Sequence, residues 1–146
     1  MDSMYRHTQV GYLLGASLFA GAVGVSIALA VIPVPYGWVG AVFALTFAGV
    51  LFPTLTTEVG PGEVRCTFGP GLIRRRIPLR DISTASVVRS SPFYGWGLRW
   101  IPNGWLWNVS GLDAVELQLS SGRRFWIGTD EPQKLSVAIS QMKRAG

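Results

Sequence analysis

Two unbroken apolar runs open the chain. The first extends over residues 8–32 and the second over residues 38–52. A helix formed by the first run would be roughly 37 Å long, which exceeds the roughly 30 Å hydrocarbon core of a bilayer. Pro33 and Pro35 stop this helix, because proline lacks the N–H group that continues the helical ladder. The second run is shorter than the usual membrane span.

These runs predict a transmembrane helical hairpin in residues 1–54, with helices at about 8–32 and 37–53. A short connection makes the two helices antiparallel neighbours. Small residues at four-residue spacing let two helix backbones approach closely, although such residues are also common in membrane helices generally. On the two predicted helices they are Ala16, Ala20, Gly24, Ala28, Gly40, Ala44 and Ala48.

A cleaved signal peptide is the alternative interpretation, because residues 28–30 (Ala-Leu-Ala) resemble a small-residue cleavage site. The first run exceeds the roughly 7–15 apolar residues of a signal peptide, and a second run follows at once. The segment before it is nearly neutral, since Asp2 offsets Arg6. Positive charge stays in the cytoplasm. We therefore expect a multi-pass protein of the inner (plasma) membrane with both termini cytoplasmic, and a reduced thiol at Cys66.

From residue 55 onward the pattern changes to alternating apolar and polar positions, which is typical of half-buried strands. In the segment Glu63–Phe68 every second residue is apolar, and a Gly-Pro-Gly turn follows at residues 69–71. Ser121-Gly122 marks another tight turn. Further strands are predicted at residues 72–79, 82–89, 97–101, 105–109, 114–119 and 123–127.

A C-terminal helix is predicted at residues 131–144. Asp130 and Gln133 have the spacing of a capping box, and Lys143 and Arg144 would lie at the negative end of the helix dipole. An apolar face is formed by Leu135, Ala138, Ile139 and Met142. The fold class is therefore α+β and mainly β.

The order of these segments resembles the bacterial pleckstrin-homology-like (PH-like) domains that are attached to membrane hairpins. The resemblance covers residues 55–146 and is carried by an FGPG turn, the sequences IPLRDI, SPFYGWGLR and GWLWNVSG, the VELQL and SGRRFWIGT hairpin, and the final DEP helix. It implies a split β-barrel or sandwich of about seven antiparallel strands capped by the C-terminal helix. It implies little about activity, because PH-like folds bind lipids, bind proteins or self-assemble.

Composition argues against an enzyme. Metal and acid–base sites need convergent His, Cys, Asp or Glu side chains, and the chain has 1 His and 1 Cys. His7 would lie beside the first membrane helix and Cys66 on a core-facing strand position, so both are expected to be structural. No phosphate-binding glycine loop is present. We predict no catalytic residue, no metal and no cofactor.

Arginines form the most informative polar feature, in a chain whose net charge is +5. Three consecutive arginines on a strand must point to both faces of the sheet. Close to an anionic leaflet each basic residue contributes about 1 kcal/mol of attraction. We favour this general attraction to phospholipid headgroups over a specific pocket, with a solvated strand face as the alternative. The candidate lipid- or partner-binding residues are Arg74, Arg75, Arg76, Arg80, Arg123 and Arg124.

Aromatic residues are dense between residues 92 and 107. Tryptophan favours the membrane interface because it has an apolar body and a polar N–H group. The alternative is that alternate members of the stretch fill the core, and we expect both uses. Nucleic acid is not an expected partner, because no recognised nucleic-acid motif is present. The candidate interface aromatics are Trp96, Trp100, Trp105 and Trp107.

These expectations describe a membrane-anchored, non-enzymatic binding or assembly module. Its partner would be anionic lipid, a second copy of the chain or another membrane protein. The alternative is an accessory subunit of a transporter or envelope enzyme complex, without a ligand of its own.

Overall fold

A computed structural model describes residues 5–31, 37–51 and 53–146. Within these residues the chain has an α+β fold with three α-helices and two β-sheets, of four and five strands. The elements are β1 (Tyr5–Val10), α1 (Tyr12–Val31), α2 (Gly37–Leu51), β2 (Thr54–Gly60), β3 (Glu63–Phe68), β4 (Ile73–Pro78), β5 (Ile82–Arg89), β6 (Gly97–Ile101), β7 (Gly104–Asn108), β8 (Asp113–Leu119), β9 (Arg124–Gly128) and α3 (Pro132–Ala145).

The four-stranded sheet has the order β1-β2-β3-β4, and both apolar helices are inserted between its first two strands. Val10 is paired with Thr54, and the Gly11 N–H donates a hydrogen bond of 2.6 Å to the Pro53 carbonyl oxygen. The chain therefore leaves the sheet into α1 and returns from α2 at the same point. We call this end of the β-sheets the helix end.

The predicted first helix is wrong at its beginning, because residues 8–10 belong to β1 and α1 starts at Tyr12. Pairing with β2 gives this segment a full ladder of backbone hydrogen bonds. Side chains add to the pairing: the Thr8 and Thr56 hydroxyls are 2.8 Å apart, and the Gln9 amide donates to the Ser110 carbonyl at 3.0 Å. Hydropathy does not distinguish the two structures here, because an uncharged strand can be as apolar as the first turn of a membrane helix. The uncharged residues 8–10 were therefore assigned to the helix.

All of the predicted strands are present, and β1 and β2 raise the number in the described residues to nine. The β3–β4 and β8–β9 hairpins form at the predicted turns, where Gly71 and Gly122 have φ of 98° and 80°. The expectation of antiparallel pairing throughout is wrong at one place. In the five-stranded sheet, of order β5-β8-β9-β7-β6, strand β9 lies between β8 and β7, and its pairing with β7 is parallel.

A hydrophobic core lies between the two sheets and is covered by α3. Trp107 connects the sheets: its ring centroid lies 5.2 Å from that of Phe68 in the first sheet and 5.4 Å from that of Phe125 in the second. The predicted apolar face of α3 is confirmed, since Leu135, Ala138 and Ile139 are buried and Met142 packs against the core as a half-buried residue.

The predicted capping box of α3 is not formed. The residue preceding the helix is Glu131, whose side chain makes no capping hydrogen bond, and the helix begins at Pro132 rather than 131. The Thr129 hydroxyl accepts a hydrogen bond of 3.1 Å from the Glu131 N–H. Asp130 is instead used in a long-range contact, because its carboxylate lies 2.5 Å from His7 Nε2 of β1.

Helices α1 and α2 pack against each other and leave most of their apolar side chains exposed. The predicted small-residue stripe on the first helix is not their seam, since Ala16, Ala20, Gly24 and Ala28 are exposed. The contact uses another face of α1, on which Ala22 is buried, and a Cβ atom on Gly49 of α2 would lie 3.9 Å from Leu18 Cβ.

Among the described helices, α1 is long and apolar enough to cross a membrane, whereas α2 is apolar but shorter. At 1.5 Å per residue they extend roughly 30 Å and 22 Å. The second helix is described to Leu51, and the next residue of its predicted range, Phe52, lies outside the described residues. The turn predicted from Pro33 and Pro35 lies outside the described residues.

Gly104 provides a test of the parallel β7–β9 pairing, because a Cβ atom at this position would overlap the carbonyl group of Arg124. We expect Gly104→Ala to lower the free energy of unfolding by about 1–3 kcal/mol, the usual cost of overpacking, and Tm by roughly 3–10 °C. Thermal unfolding of the full chain in detergent measures this. Gly60→Ala is the matched control, since no described atom lies within 4 Å of its added methyl group. Equal Tm values for the two variants would contradict the pairing.

Candidate functional site

The direction of each strand shows at which end of the β-sheets its flanking turns lie. The segment after β7 lies at the helix end, because Gly11 closely approaches the Val109 carbonyl oxygen. The β6–β7 turn at Asn103 therefore lies at the opposite end, which we call the far end. The β8–β9 turn lies there too, since the Arg124 N–H donates a hydrogen bond of 2.8 Å to the Asn103 carbonyl oxygen.

A cavity of about 430 Å³ opens at the far end, between β4 of the first sheet and β6, β7 and the β8–β9 turn of the second. This volume is in the range of small-molecule sites. Basic and aromatic side chains line it, and the described lining contains no Asp or Glu. The lining residues are Arg75, Trp100, Asn103, Gly104, Trp105, Leu119, Ser121, Gly122, Arg123 and Arg124.

Arg75 is the inward-facing member of the arginine run, as the alternation of the strand predicts. It is paired in register with the buried Cys66. Its guanidinium carbon lies 4.9 Å from the centre of the Phe125 ring, so a cation–π contact holds it across the gap between the two sheets. None of the described carboxylates forms an ion pair with it. Its charge is therefore positioned but not neutralised.

Arg123 adds a second positive charge that no described carboxylate neutralises, whereas Arg124 lies close to a carboxylate. Arg123 is exposed at the β8–β9 turn and forms no ion pair with the described residues. Arg124 borders the cavity, but its Nη1 atom lies 4.0 Å from Glu116, which also accepts a hydrogen bond from the Trp126 indole. Alternation along β9 places Arg124 and Trp126 on the face opposite Phe125.

The remaining arginine candidates lie elsewhere. Arg74 and Arg76 are exposed on the outer face of β4, where they belong to the solvated strand face that was one of the sequence-based alternatives. Arg80 is in a short 3-10 helix (Leu79–Asp81) at the far end, with its side chain 86% exposed and 3.7 Å from the Asp81 carboxylate. The structure thus brings Arg75, Arg123 and Arg124 together and leaves the other three outside.

The tryptophans divide into three environments. Trp107 is a core residue, with 6% exposure, so its prediction as an interface aromatic is wrong. Trp96 is half-buried just before β6. Trp100 and Trp105 are 68% and 37% exposed, form an edge-to-face pair with centroids 4.9 Å apart, and lie at the far end beside the cavity. The stretch therefore divides between core and exposed aromatics, and the exposed pair lies at the end of the β-sheets away from the helices.

The pairing of Trp100 with Trp105 was missed, although the sequence contains its signal. Pro102 and Asn103 form the two-residue turn between two apolar strands, with proline first and Asn103 second at a positive φ of 63°, the residue pattern of a type II turn. This turn pairs Ile101 with Gly104 and therefore Trp100 with Trp105. The proximity of this pair to Arg75 depends on how the sheets pack, and no local signal predicts it.

The other cluster of ionisable groups joins β1 to the start of α3. His7 lies between Asp130 and Glu131, at 2.5 Å and 3.6 Å. Burial, with the nearby Glu131 carboxylate, raises the pKa of Tyr5 to about 12. A hydrogen bond from Lys134 lowers the pKa of Glu131. No group of three His, Cys, Asp or Glu residues in the described part of the chain is arranged to hold a metal ion, so we interpret this cluster as a structural clamp.

Comparison with known protein families and with curated proteins finds no match to this chain. The resemblance to PH-like domains therefore remains a prediction.

Cys66 should be inert to thiol reagents in the folded protein. It is fully buried, and burial raises the pKa of its thiol to about 12. At pH 8 only about one molecule in ten thousand would carry the reactive thiolate. We expect modification by a disulfide reagent at pH 8 to be immeasurably slow until the chain is unfolded, and rapid afterwards. Stoichiometric modification of the folded chain within minutes would contradict the observed burial.

Proposed function

We propose that this chain is a membrane-anchored, non-enzymatic binding module. In this proposal α1 and α2 cross the membrane as a hairpin, and the β-sheets with α3 form a PH-like domain on the cytoplasmic side. The far end of that domain presents its cavity to an anionic ligand. This proposal rests on the guanidinium groups of Arg75 and Arg123. Neither group is neutralised by a described carboxylate, and the described lining of the cavity contains no Asp or Glu.

The exposed apolar surfaces of the helices support the anchor. Large side chains on α1 and α2 are uncovered in the monomer; Phe19 is 73% exposed and Phe43 is 70% exposed. Soluble monomers rarely expose contiguous apolar patches of this kind, because transfer of apolar surface from water to an apolar phase is favourable. Both helices leave the β-sheets at the same end, as an anchor requires.

The direction of the strands favours a ligand in solution over the lipid surface. Strand β7 alone separates the two ends by roughly 16 Å. Electrostatic attraction decays over a Debye length of about 8–10 Å at physiological salt. Arg123, in the far-end turn, therefore adds little attraction to the membrane in which the helices are anchored. Its charge is available to a ligand that approaches from the cytoplasm.

The PH-like assignment is supported by the antiparallel β2-β3-β4 strands and by the C-terminal helix that covers the core. Two features depart from the expected pattern of about seven antiparallel strands. An additional strand, β1, precedes the helices, and the β7–β9 pair is parallel.

Pyrophosphate is a suitable probe of the cavity, because arginine recognises phosphate oxygens through paired N–H donors. We expect the full chain in zwitterionic nanodiscs to bind pyrophosphate in calorimetric titration. Arg75→Gln/Arg123→Gln should weaken binding by about a hundredfold or more, since each charged hydrogen bond contributes about 1.5–3 kcal/mol. Arg123→Gln alone should produce part of this loss.

Arg74→Gln/Arg76→Gln is the matched control, since it removes the same charge from the exposed face of the same strand. This variant should keep most of the affinity. The cavity variant also loses the contact of Arg75 with Phe125, so thermal unfolding should show both variants to be folded at the temperature of the titration. An absence of pyrophosphate binding, or an equal loss in the two double variants, would refute the cavity as the binding site.

A second candidate function is an accessory subunit of a membrane complex. It is favoured by the stacked pair of Phe43 and Phe47 on α2, whose ring centroids are 6.0 Å apart and which are 70% and 47% exposed. Such a surface fits another membrane helix as well as lipid. Purification in mild detergent distinguishes the two functions, because a subunit would bring one foreign membrane protein in fixed stoichiometry.

A further inference from the structure

The cavity joins two kinds of recognition surface that the anion-binding proposal does not fully use. Its lining includes the guanidinium groups of Arg75, from the first sheet, and Arg123, from the β8–β9 turn, together with the indole rings of Trp100 and Trp105. A simple anion would need only the guanidinium groups. The tryptophans therefore indicate a ligand with a flat ring as well as negative charge.

The exposure of Trp100 is not explained by packing or by the membrane. It has 68% of its surface in solvent, whereas Trp107, in the same sheet, has 6%. Tryptophan exposed at the membrane interface would have an explanation, but Trp100 lies at the far end. Its edge-to-face contact with Trp105 fixes the two rings relative to each other and leaves Trp100 surface open for stacking.

The two arginines are suited to phosphate in particular. The cation–π contact of Arg75 with Phe125 restrains its guanidinium group before any ligand arrives, which reduces the entropy lost on binding. Arg123 adds a second charge from the β8–β9 turn, so the lining offers two cations to a ligand with two phosphate groups. The hydroxyl of Ser121 and the side-chain amide of Asn103 also line the cavity and have no hydrogen-bond partner among the described residues.

We infer that the cavity binds a nucleoside phosphate, with the phosphates on Arg75 and Arg123 and the base stacked on the Trp100–Trp105 pair. The inference rests on the proposed anion-binding function and adds the chemical class of the ligand. Base stacking on tryptophan tolerates different bases, so it does not select among nucleotides.

The test compares ADP, pyrophosphate and adenosine as ligands of the full chain in zwitterionic nanodiscs, by calorimetric titration. We expect ADP to bind about tenfold more tightly than pyrophosphate, as one stacked base predicts, and adenosine to bind more weakly than ADP. Trp100→Ala should reduce the affinity for ADP to that for pyrophosphate and leave pyrophosphate binding unchanged. Arg123→Gln should weaken the binding of both ADP and pyrophosphate.

Phe93→Ala is the control, because Phe93 is also an exposed aromatic residue, with 99% of its surface in solvent, but lies at the helix end and does not line the cavity. It should change no affinity. If ADP and pyrophosphate bind equally, or if Trp100→Ala leaves ADP binding intact, the nucleotide inference fails while the anion site stands. If none of the three ligands binds, both proposals fail. Much tighter binding of a single-stranded oligonucleotide than of ADP would also overturn the inference, in favour of nucleic acid.

Discussion

The arrangement of this molecule depends on the hydrogen-bonded pairing of β1 with β2 across the two inserted helices. The register brings Val10 opposite Thr54, and the Gly11–Pro53 hydrogen bond closes the ladder where the helices begin and end. An insertion at this point gives both helices a common origin. It also sets the direction of β2, and through the successive hairpins that of β3 and β4. The two ends of the β-sheets thereby become chemically different environments.

Exposed arginines occur at both ends of the β-sheets: Arg89 lies where β5 ends, at the helix end, and Arg123 lies at the far end. The helix end also exposes the apolar Leu72 and Phe93, next to the apolar helices. At the far end Arg123 lines one cavity with Trp100 and Trp105, and Arg75 lines the same cavity from the middle of β4. The far end is therefore distinguished by basic and aromatic side chains around a cavity, beyond the roughly 10 Å over which attraction to the membrane acts. This combination fits a ligand supplied from solution.

The local pattern of apolar and polar residues predicted most of the secondary structure but little of the cavity. Alternation of apolar residues predicted the strands from β3 to β9, and the 3.6-residue period predicted the buried face of α3. Residues 5–10 could not be assigned from pattern, because their strand is stabilised by pairing with β2, more than 40 residues later in the sequence. The inward direction of Arg75 followed from alternation. Its proximity to Arg123 and Trp100 depends on sheet packing and on the parallel β7–β9 pair, which no local sequence signal encodes.

The depth of the two ends relative to the bilayer is the most direct test of this account. Single cysteines at Phe93 and Ser121, in a Cys66→Ala background, can carry a fluorophore in nanodiscs that contain spin-labelled lipid. We expect strong quenching of the label at residue 93, beside the helix end, and little quenching at residue 121, beside the cavity. Equal quenching at the two positions would contradict the claim that the anchor and the cavity lie at opposite ends of the protein.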